Sequence, residues 1–204
     1  MKAQEALISV RLVDHPVYYP QEAWDIQLDH LDMYTEEVLE ELAIIRWAET
    51  SEWPTHSTVS ANTTQHNWGA SGSFSEIIMQ VSTGAMGGVG AAAIAGSIKA
   101  IYAKLRARSQ GETWSNIPSA EEASRLAKSR LHLHYDVAMD KLTVSRSDID
   151  AEAERYDFNF VHEDGRKFGA TVGAAKGIPS CTRVWMETAH PILRPTREPQ
   201  QEEG

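Results

Sequence analysis

The chain has a single cysteine, Cys181, among its 204 residues. An intrachain disulfide is therefore excluded, which is typical of proteins that fold in a reducing compartment. The first residues also lack the apolar stretch that follows a basic start in secretory signals. We therefore expect a cytoplasmic protein. We expect a single α+β domain over residues 1–192 and a disordered tail over residues 193–204.

Basic residues are scarce in the first half of the chain. Residues 1–98 hold thirteen Asp and Glu against three Lys and Arg, whereas residues 99–204 hold sixteen of each. Because phosphate backbones bind clustered cations, nucleic acid is not an expected partner. A basic group does open the second half, and we expect it to be a solvated helix end. It consists of Lys99, Lys104, Arg106, Arg108, Arg125, Lys128 and Arg130.

Charge is absent from residues 77–98, which are dominated by Gly and Ala. The length of this segment would permit a bilayer span. However, it contains no Leu, Phe or Trp, and large aliphatic side chains are what chiefly drive insertion. Small residues instead let helices approach closely, as Gly84 and Gly88 would in a helix pair. We expect a tightly packed, Gly/Ala-rich apolar helix at about 75–108, with membrane insertion of 77–98 as the alternative.

Hydrophobic periodicity predicts a strand and then a long acidic helix in the first half. Residues 7–13 alternate as a strand does. Residues 20–47 carry apolar side chains at helical spacing. This helix presents Asp29, Glu36 and Glu40 on a face that is either an acidic docking surface or simply solvated. Its apolar positions are Trp24, Leu28, Leu31, Val38, Leu42 and Ile45.

Further elements follow from local signals. Residues 55–65 are rich in Thr and predict a polar or edge strand. Ser119 and Glu122 form a capping-box pattern that opens a short helix to about Ser129. Asp164-Gly165 predicts a hairpin, because Gly tolerates the positive φ of such turns. Strands are predicted at 131–137, 141–144, 155–161 and 166–172. Together these elements predict a small mixed or antiparallel sheet packed on the acidic helix and the Gly/Ala-rich helix.

Three side chains in the predicted strand 131–137 have the spacing of a metal site. His132, His134 and Asp136 would project from one face of a strand. Imidazole and carboxylate groups suit zinc or iron. No second cluster completes the ligand set, so we interpret the three as the solvent-facing side of an amphipathic strand. We expect no cofactor, and a metal-dependent enzyme is the alternative.

The one cysteine also raises the possibility of a nucleophile. Cys181 with His190 is the only thiol–imidazole combination near in sequence. A lone cysteine is more often a small buried hydrophobe, and Pro179-Ser180 indicates a loop around it. Serine hydrolase, kinase and zinc-protease motifs are absent. No catalytic residue is therefore predicted.

Trp68 is followed by Gly69-Ala70-Ser71-Gly72, just before the charge-free segment. One interpretation is that its indole anchors this turn onto the core. The other is that it is an exposed anchor for a partner, as aromatic residues often are in interfaces.

Taken in order, the predicted elements form a strand, an acidic helix, a polar strand, the Trp68 turn, an apolar helix and a hairpin. The hairpin carries Glu163-Asp164-Gly165-Arg166. Over about residues 7–172 this layout resembles the small effector-associated constant components predicted in bacterial conflict and defence operons. The chain differs in its longer first helix and in the inserted region 112–150. The resemblance implies a non-enzymatic adaptor that couples a sensor to an effector, and it carries over no catalytic residues.

We therefore expect an interaction module whose partner is another protein or a second copy of the chain. It would act through the acidic helix face, the Trp68 turn or the Gly/Ala-rich helix. The alternatives are a membrane-active protein that inserts residues 77–98 and a structural subunit of a larger assembly.

Overall fold

A computed structural model describes residues 5–14, 18–47, 55–66, 72–83, 91–110, 118–150, 152, 154–175 and 178–187. These residues form eight strands and three α-helices. In chain order they are β1 (Glu5–Val13), β2 (Glu22–Asp29), α1 (Thr35–Ala43), β3 (Ser57–His66), β4 (Gly72–Ser82), α2 (Ala91–Arg106), α3 (Ala120–Tyr135), β5 (Leu142–Asp150), β6 (Arg155–His162), β7 (Lys167–Ala175) and β8 (Ile178–Met186). Short 3₁₀ helices lie at Ile44–Arg46 and Met139–Lys141.

All eight strands belong to one mixed sheet, in the order β3-β4-β1-β2-β8-β7-β6-β5. β1 and β4 run parallel, and the other neighbours are antiparallel. The α+β class is thus confirmed, but the sheet is larger than expected. Its middle is the pairing of β2 with β8, which joins strands from opposite ends of the chain and aligns Glu22 with Trp185 and Trp24 with Arg183.

The helices cover opposite faces of this sheet in its two halves. Successive side chains of a strand point to opposite faces. In β2, Trp24 belongs to the core that packs against α1 and α2, whereas its neighbour Ala23 belongs to the core that packs against α3. The first core covers the β1–β4 half and the second covers the β5–β8 half. Each half therefore has one sheet face that these helices leave open.

The predicted long acidic helix is wrong. Residues 22–29 form β2, and the helix that follows spans only Thr35–Ala43. Trp24 and Leu28 lie four residues apart, a spacing that fits both a helix face and every second position of a strand. The intervening Asp25 and Gln27 lie on the other face of β2, as strand alternation requires.

The predicted apolar helix begins later than expected. Residues 77–82 are part of strand β4, and α2 starts at Ala91. The helix then packs a continuous apolar face, including Ile94, Ile98 and Leu105, into the first core. Gly84 and Gly88 lie outside the described residues. Of the helices described, none has both the length and the apolar character that crossing a bilayer requires.

The predicted strand at 131–137 is also wrong, because α3 continues to Tyr135. The helix start is confirmed: Ser119 is the N-cap, and its hydroxyl accepts a hydrogen bond from the Glu122 backbone N–H. Leu131 and Tyr135, four residues apart, are both buried, as one helix face requires. Leu133, which a strand would have placed on the same face as Leu131, is 72% exposed.

Other local predictions are confirmed. β1 lies where residues 7–13 predict it, and β3 is an edge strand. β6 and β7 form the hairpin around Gly165, which has the positive φ of 87° that favours glycine there. β5 extends well beyond the predicted 141–144, and β4 and β8 were not predicted. The predicted tail 193–204 lies outside the described residues.

Candidate binding site

A cleft of about 730 Å³ lies between α2 and the open face of the β5–β8 half. It exists because α2 covers only the neighbouring half of the sheet, while α3 packs on the opposite face. We call it the open-face cleft. Helix α2 contributes Lys99, Tyr102, Ala103 and Arg106 to one wall. The other wall and the floor come from the strands, including Asp157 and Gly173.

At the sheet junction the cleft contains an arginine held between two tryptophans. The guanidinium carbon of Arg183 lies 4.5 Å from the ring centroid of Trp24 and 4.5 Å from that of Trp185. Arg183 Nε donates a hydrogen bond of 2.6 Å to Glu22 Oε1. Because the Glu22 carboxylate is buried, this charge needs its partner. The Trp–Arg stack, as we call Trp24, Arg183 and Trp185, thus joins β2 to β8 and forms part of the cleft wall.

Helix α2 places a second cation against the same indole. Lys99 Nζ lies 5.9 Å from the ring centroid of Trp24. The helix is fixed here by Tyr102, whose hydroxyl lies within hydrogen-bond distance of the Ile8 carbonyl (3.2 Å) and the Trp24 carbonyl (3.1 Å). Burial raises the pKa of Tyr102 well above its usual value, with Asp25 adding to the effect, so the hydroxyl stays a neutral donor. Helix α2 consequently holds Lys99 next to the Trp24 indole.

The strand wall carries charges of both signs that pair with one another. Arg155 Nε donates to Asp157 Oδ2 over 3.1 Å, and Arg155 Nη2 lies 3.5 Å from Asp150 Oδ2. Thr171 Oγ1 donates to Asp157 Oδ1 over 2.6 Å. Arg146 lies 3.7 Å from Asp148. The wall is therefore polar but locally compensated.

A separate polar cluster lies on the opposite face, between α3 and the β1–β2 pair. Asp25 accepts hydrogen bonds from Ser9 Oγ and, at 2.5 Å, from Arg130. His134 Nε2 lies 3.7 Å from the same carboxylate. Burial by itself would raise the pKa of Asp25. The His134 ring, the Arg130 charge and the Ser9 hydroxyl outweigh burial and hold this pKa well below its usual range.

This Asp25 cluster does not have the arrangement of a nucleophilic triad. In such triads the serine bonds to the histidine, and the histidine bonds to the aspartate. Here Ser9 bonds directly to Asp25, so the carboxylate holds the hydroxyl without any base to activate it. The cluster instead ties α3 to β1 and β2 across the sheet junction.

The helical course of α3 separates the three side chains that were considered as candidate metal ligands and interpreted as the solvent-facing side of a strand. His132 Nδ1 lies 3.0 Å from the Val137 carbonyl, whereas His134 lies at the Asp25 cluster. Asp136 ends the helix in the left-handed conformation, with φ of 51°. Within the described ranges, no group of three or more His, Cys, Asp or Glu is placed to hold a metal ion.

The predicted interaction residues do not share one helix face. Asp29 ends strand β2, whereas Glu36 and Glu40 are exposed one turn apart on α1. Trp68, like Gly84 and Gly88, is outside the described residues. The two glutamates on α1 are what remains of the predicted acidic surface.

Cys181 is a buried residue of β8 and does not lie in a loop. Its Sγ donates to the Arg183 carbonyl at 3.5 Å. Burial raises the pKa of the thiol to about 12. The interpretation as a small buried hydrophobe is thus confirmed, and His190 falls outside the described residues.

The basic group of the sequence is divided among separate partners. Lys104 pairs with Glu41, Arg108 donates to the Asp32 carbonyl, and Arg130 pairs with Asp25. Arg125, Lys128 and Arg130 lie on α3, on the other side of the sheet from the open-face cleft. The group therefore does not form one surface.

Sequence reasoning missed Arg183 and Trp185 of the open-face cleft because it missed β8. The run 178–186 contains the β-branched and aromatic residues Thr182, Val184 and Trp185, which are typical of strands. That signal would have placed Arg183 and Trp185 on one face of a strand, two residues apart. Its pairing with β2, about 160 residues earlier in the chain, has no local signal.

No protein-family model matches the chain, and neither the curated proteins nor the solved structures contain a significant match.

Proposed function

We propose that the protein is a non-enzymatic interaction module that binds a segment of a protein partner in the open-face cleft. The observation that carries this proposal is the Trp–Arg stack in the cleft wall. The few residues that dominate the binding energy of protein interfaces are enriched in tryptophan, tyrosine and arginine. Arg183 is already fixed by Trp24, Trp185 and Glu22, so little side-chain freedom remains to be lost on binding.

The surroundings of the stack also suit a protein segment. The open-face cleft has a volume of about 730 Å³, which is within the range of ligand sites. The paired charges of β5 and β6 give the cleft a polar strand wall next to its aromatic part. An apolar centre with a polar rim is the usual anatomy of a protein interface.

Two groups that a catalytic reading would use are in unsuitable states. The raised pKa of Cys181, about 12, keeps its thiol protonated near neutral pH, whereas the thiolate is the nucleophile. The lowered pKa of Asp25 makes it a poor general base, because such bases work best with a pKa near the operating pH. Both observations support a binding role. In this proposal the chain is an adaptor, and coupling a sensor to an effector is the role that the layout resemblance implies.

Site-specific photocrosslinking in the producing cells tests the proposal. A benzophenone side chain replaces Asn159, an exposed residue of the cleft. The control carries it at Thr58, an exposed position of edge strand β3. We expect a discrete crosslinked protein from position 159 and none of the same mass from position 58. Equal products from both positions, or none from position 159, would contradict the proposal.

A blocking variant makes the test specific for the cleft. Gly173 lines the cleft, and a Cβ there would meet the Thr182 side chain at 3.7 Å, an ordinary contact. Gly173→Leu should therefore fold and fill part of the cleft. We expect it to reduce the crosslink from position 159 at least several-fold. An unchanged crosslink would mean that the partner binds elsewhere.

A further inference from the structure

We infer that the segment bound in the open-face cleft is acidic and that one of its carboxylates pairs with Lys99, beside the Trp–Arg stack. This inference rests on the proposed function and adds the chemistry of the partner. It starts from the two cations that flank the single indole of Trp24, one from α2 and one from β8.

The charges around Trp24 are not balanced among the described residues. Glu22 pairs with Arg183 through Nε alone. A guanidinium has five N–H donors, so the Nη side of Arg183 retains donors for another acceptor. Lys99 is exposed and makes no ion pair within the part of the chain that the structure describes. Two positive charges thus lie against the Trp24 ring, whereas Glu22 pairs with only one of them, and a second carboxylate would complete the set.

The strand wall does not compete for that carboxylate. Arg146 and Arg155 already have acidic partners on their own wall, at 3.7 Å and 3.1 Å. The cation that an incoming acidic group can pair with is therefore Lys99, on the α2 wall of the cleft. Ion pairs in a partly enclosed site are screened less by solvent than exposed pairs are.

Negative charge elsewhere on the protein favours the same binding site, because it repels an acidic segment. Residues 1–98 carry thirteen acidic against three basic side chains, and the exposed Glu36 and Glu40 lie on α1. An acidic segment is repelled from such regions and attracted to the cleft, which gives it a defined place to bind. Specific interfaces commonly combine attraction at one site with repulsion elsewhere.

Selection from a random peptide library displayed on phage tests this inference. The library is panned on the wild-type chain, on Lys99→Gln and on Lys128→Gln. The last variant loses the same charge from α3, on the opposite face of the sheet. We expect peptides enriched in Asp and Glu from the wild type and from Lys128→Gln, and loss of that enrichment with Lys99→Gln.

The best peptide is then compared with its Asp→Asn, Glu→Gln counterpart by titration calorimetry. We expect the neutral peptide to bind about five- to tenfold more weakly to the wild type, and with nearly the same affinity as the acidic one to Lys99→Gln. Selected peptides without acidic bias, or with the same bias on Lys99→Gln, would overturn the inference and leave the proposed function standing. If no peptide is enriched on the wild type, the proposed function itself fails.

Discussion

The indole of Trp185 occupies the space that a side chain on Gly169 would need. The two residues are directly paired across β7 and β8, and a Cβ on Gly169 would overlap with the six-membered ring of Trp185. Glycine is required at this position because of the close approach of the indole and not because of backbone conformation. The position of Trp185 therefore depends on the absence of a side chain at Gly169. One side of the Trp–Arg stack depends on it as well.

Replacing that glycine should displace the indole. We expect Gly169→Ala to lower the free energy of unfolding by about 1–3 kcal/mol, since overpacking forces side chains out of place. Urea denaturation measures the loss, and near-UV circular dichroism reports the altered tryptophan environment. Gly96→Ala is the control: Gly96 lies in helix α2 with open space around it, so alanine should stabilise the protein by about 0.4–1 kcal/mol. If Gly169→Ala left the free energy of unfolding unchanged, the packing of Trp185 on Gly169 would be contradicted.

The Glu22–Arg183 pair should show strong coupling. Arg183→Met removes the partner of a buried carboxylate, and we expect a loss of about 3–5 kcal/mol in the free energy of unfolding. Glu22→Gln in the same chain should recover part of this loss, because a neutral amide is cheaper to bury than a charge. Urea denaturation of the two single variants and the double variant gives the coupling energy. Additive effects, within about 0.5 kcal/mol, would mean that the pair does not act as a unit.

Stability should fall in acid partly because of Asp25. Its pKa in the folded protein is lowered, so its contribution is complete above the unfolded value of about 3.9 and is lost as the pH falls through the folded value. We expect Asp25→Asn to cost about 2 kcal/mol at neutral pH and progressively less below about pH 4. Urea denaturation across this pH range measures both effects. Asp148→Asn, at an exposed position of β5, should change stability by less than about 0.5 kcal/mol at any pH.

The thiol of Cys181 should be almost unreactive in the native protein. It is buried, and burial raises its pKa to about 12, so about one thiol in ten thousand is ionised at pH 8. We expect Ellman's reagent to label native protein at least a hundredfold more slowly than protein in urea. Since the chain has one cysteine, the absorbance reports this site alone. Rapid labelling without denaturant would show that β8 opens readily.

Local signals predicted the parts of the fold that depend on adjacent residues. The Asp164-Gly165 turn and the Ser119 cap are examples, because a positive φ and an N-terminal hydroxyl act within a few residues. The spacing of apolar residues along a segment was a weaker guide to its secondary structure. Leu131 to Tyr135 alternates in sequence like a strand, yet α3 buries residues four apart and leaves Leu133 in solvent.

The candidate site could not be predicted in the same way. Arg183 is fixed by residues of β2, and Lys99 reaches the stack from α2, so the site joins three segments that are far apart in sequence. The Asp25 cluster likewise needs α3 to pack next to β1 and β2. Such sites are formed by contacts between segments that are far apart in sequence, and a single sequence does not show which segments will pair.

The pairing of β2 with β8 also determines when the two halves of the sheet can join during synthesis. β2 is synthesised about 160 residues before Arg183 and Trp185 are added. On the ribosome, strands β1–β4 and their helices can associate early, but β2 remains an open edge until β8 has emerged. The Trp–Arg stack therefore forms only after β8 has emerged, and a nascent chain interrupted before β8 can form its first core but not its open-face cleft.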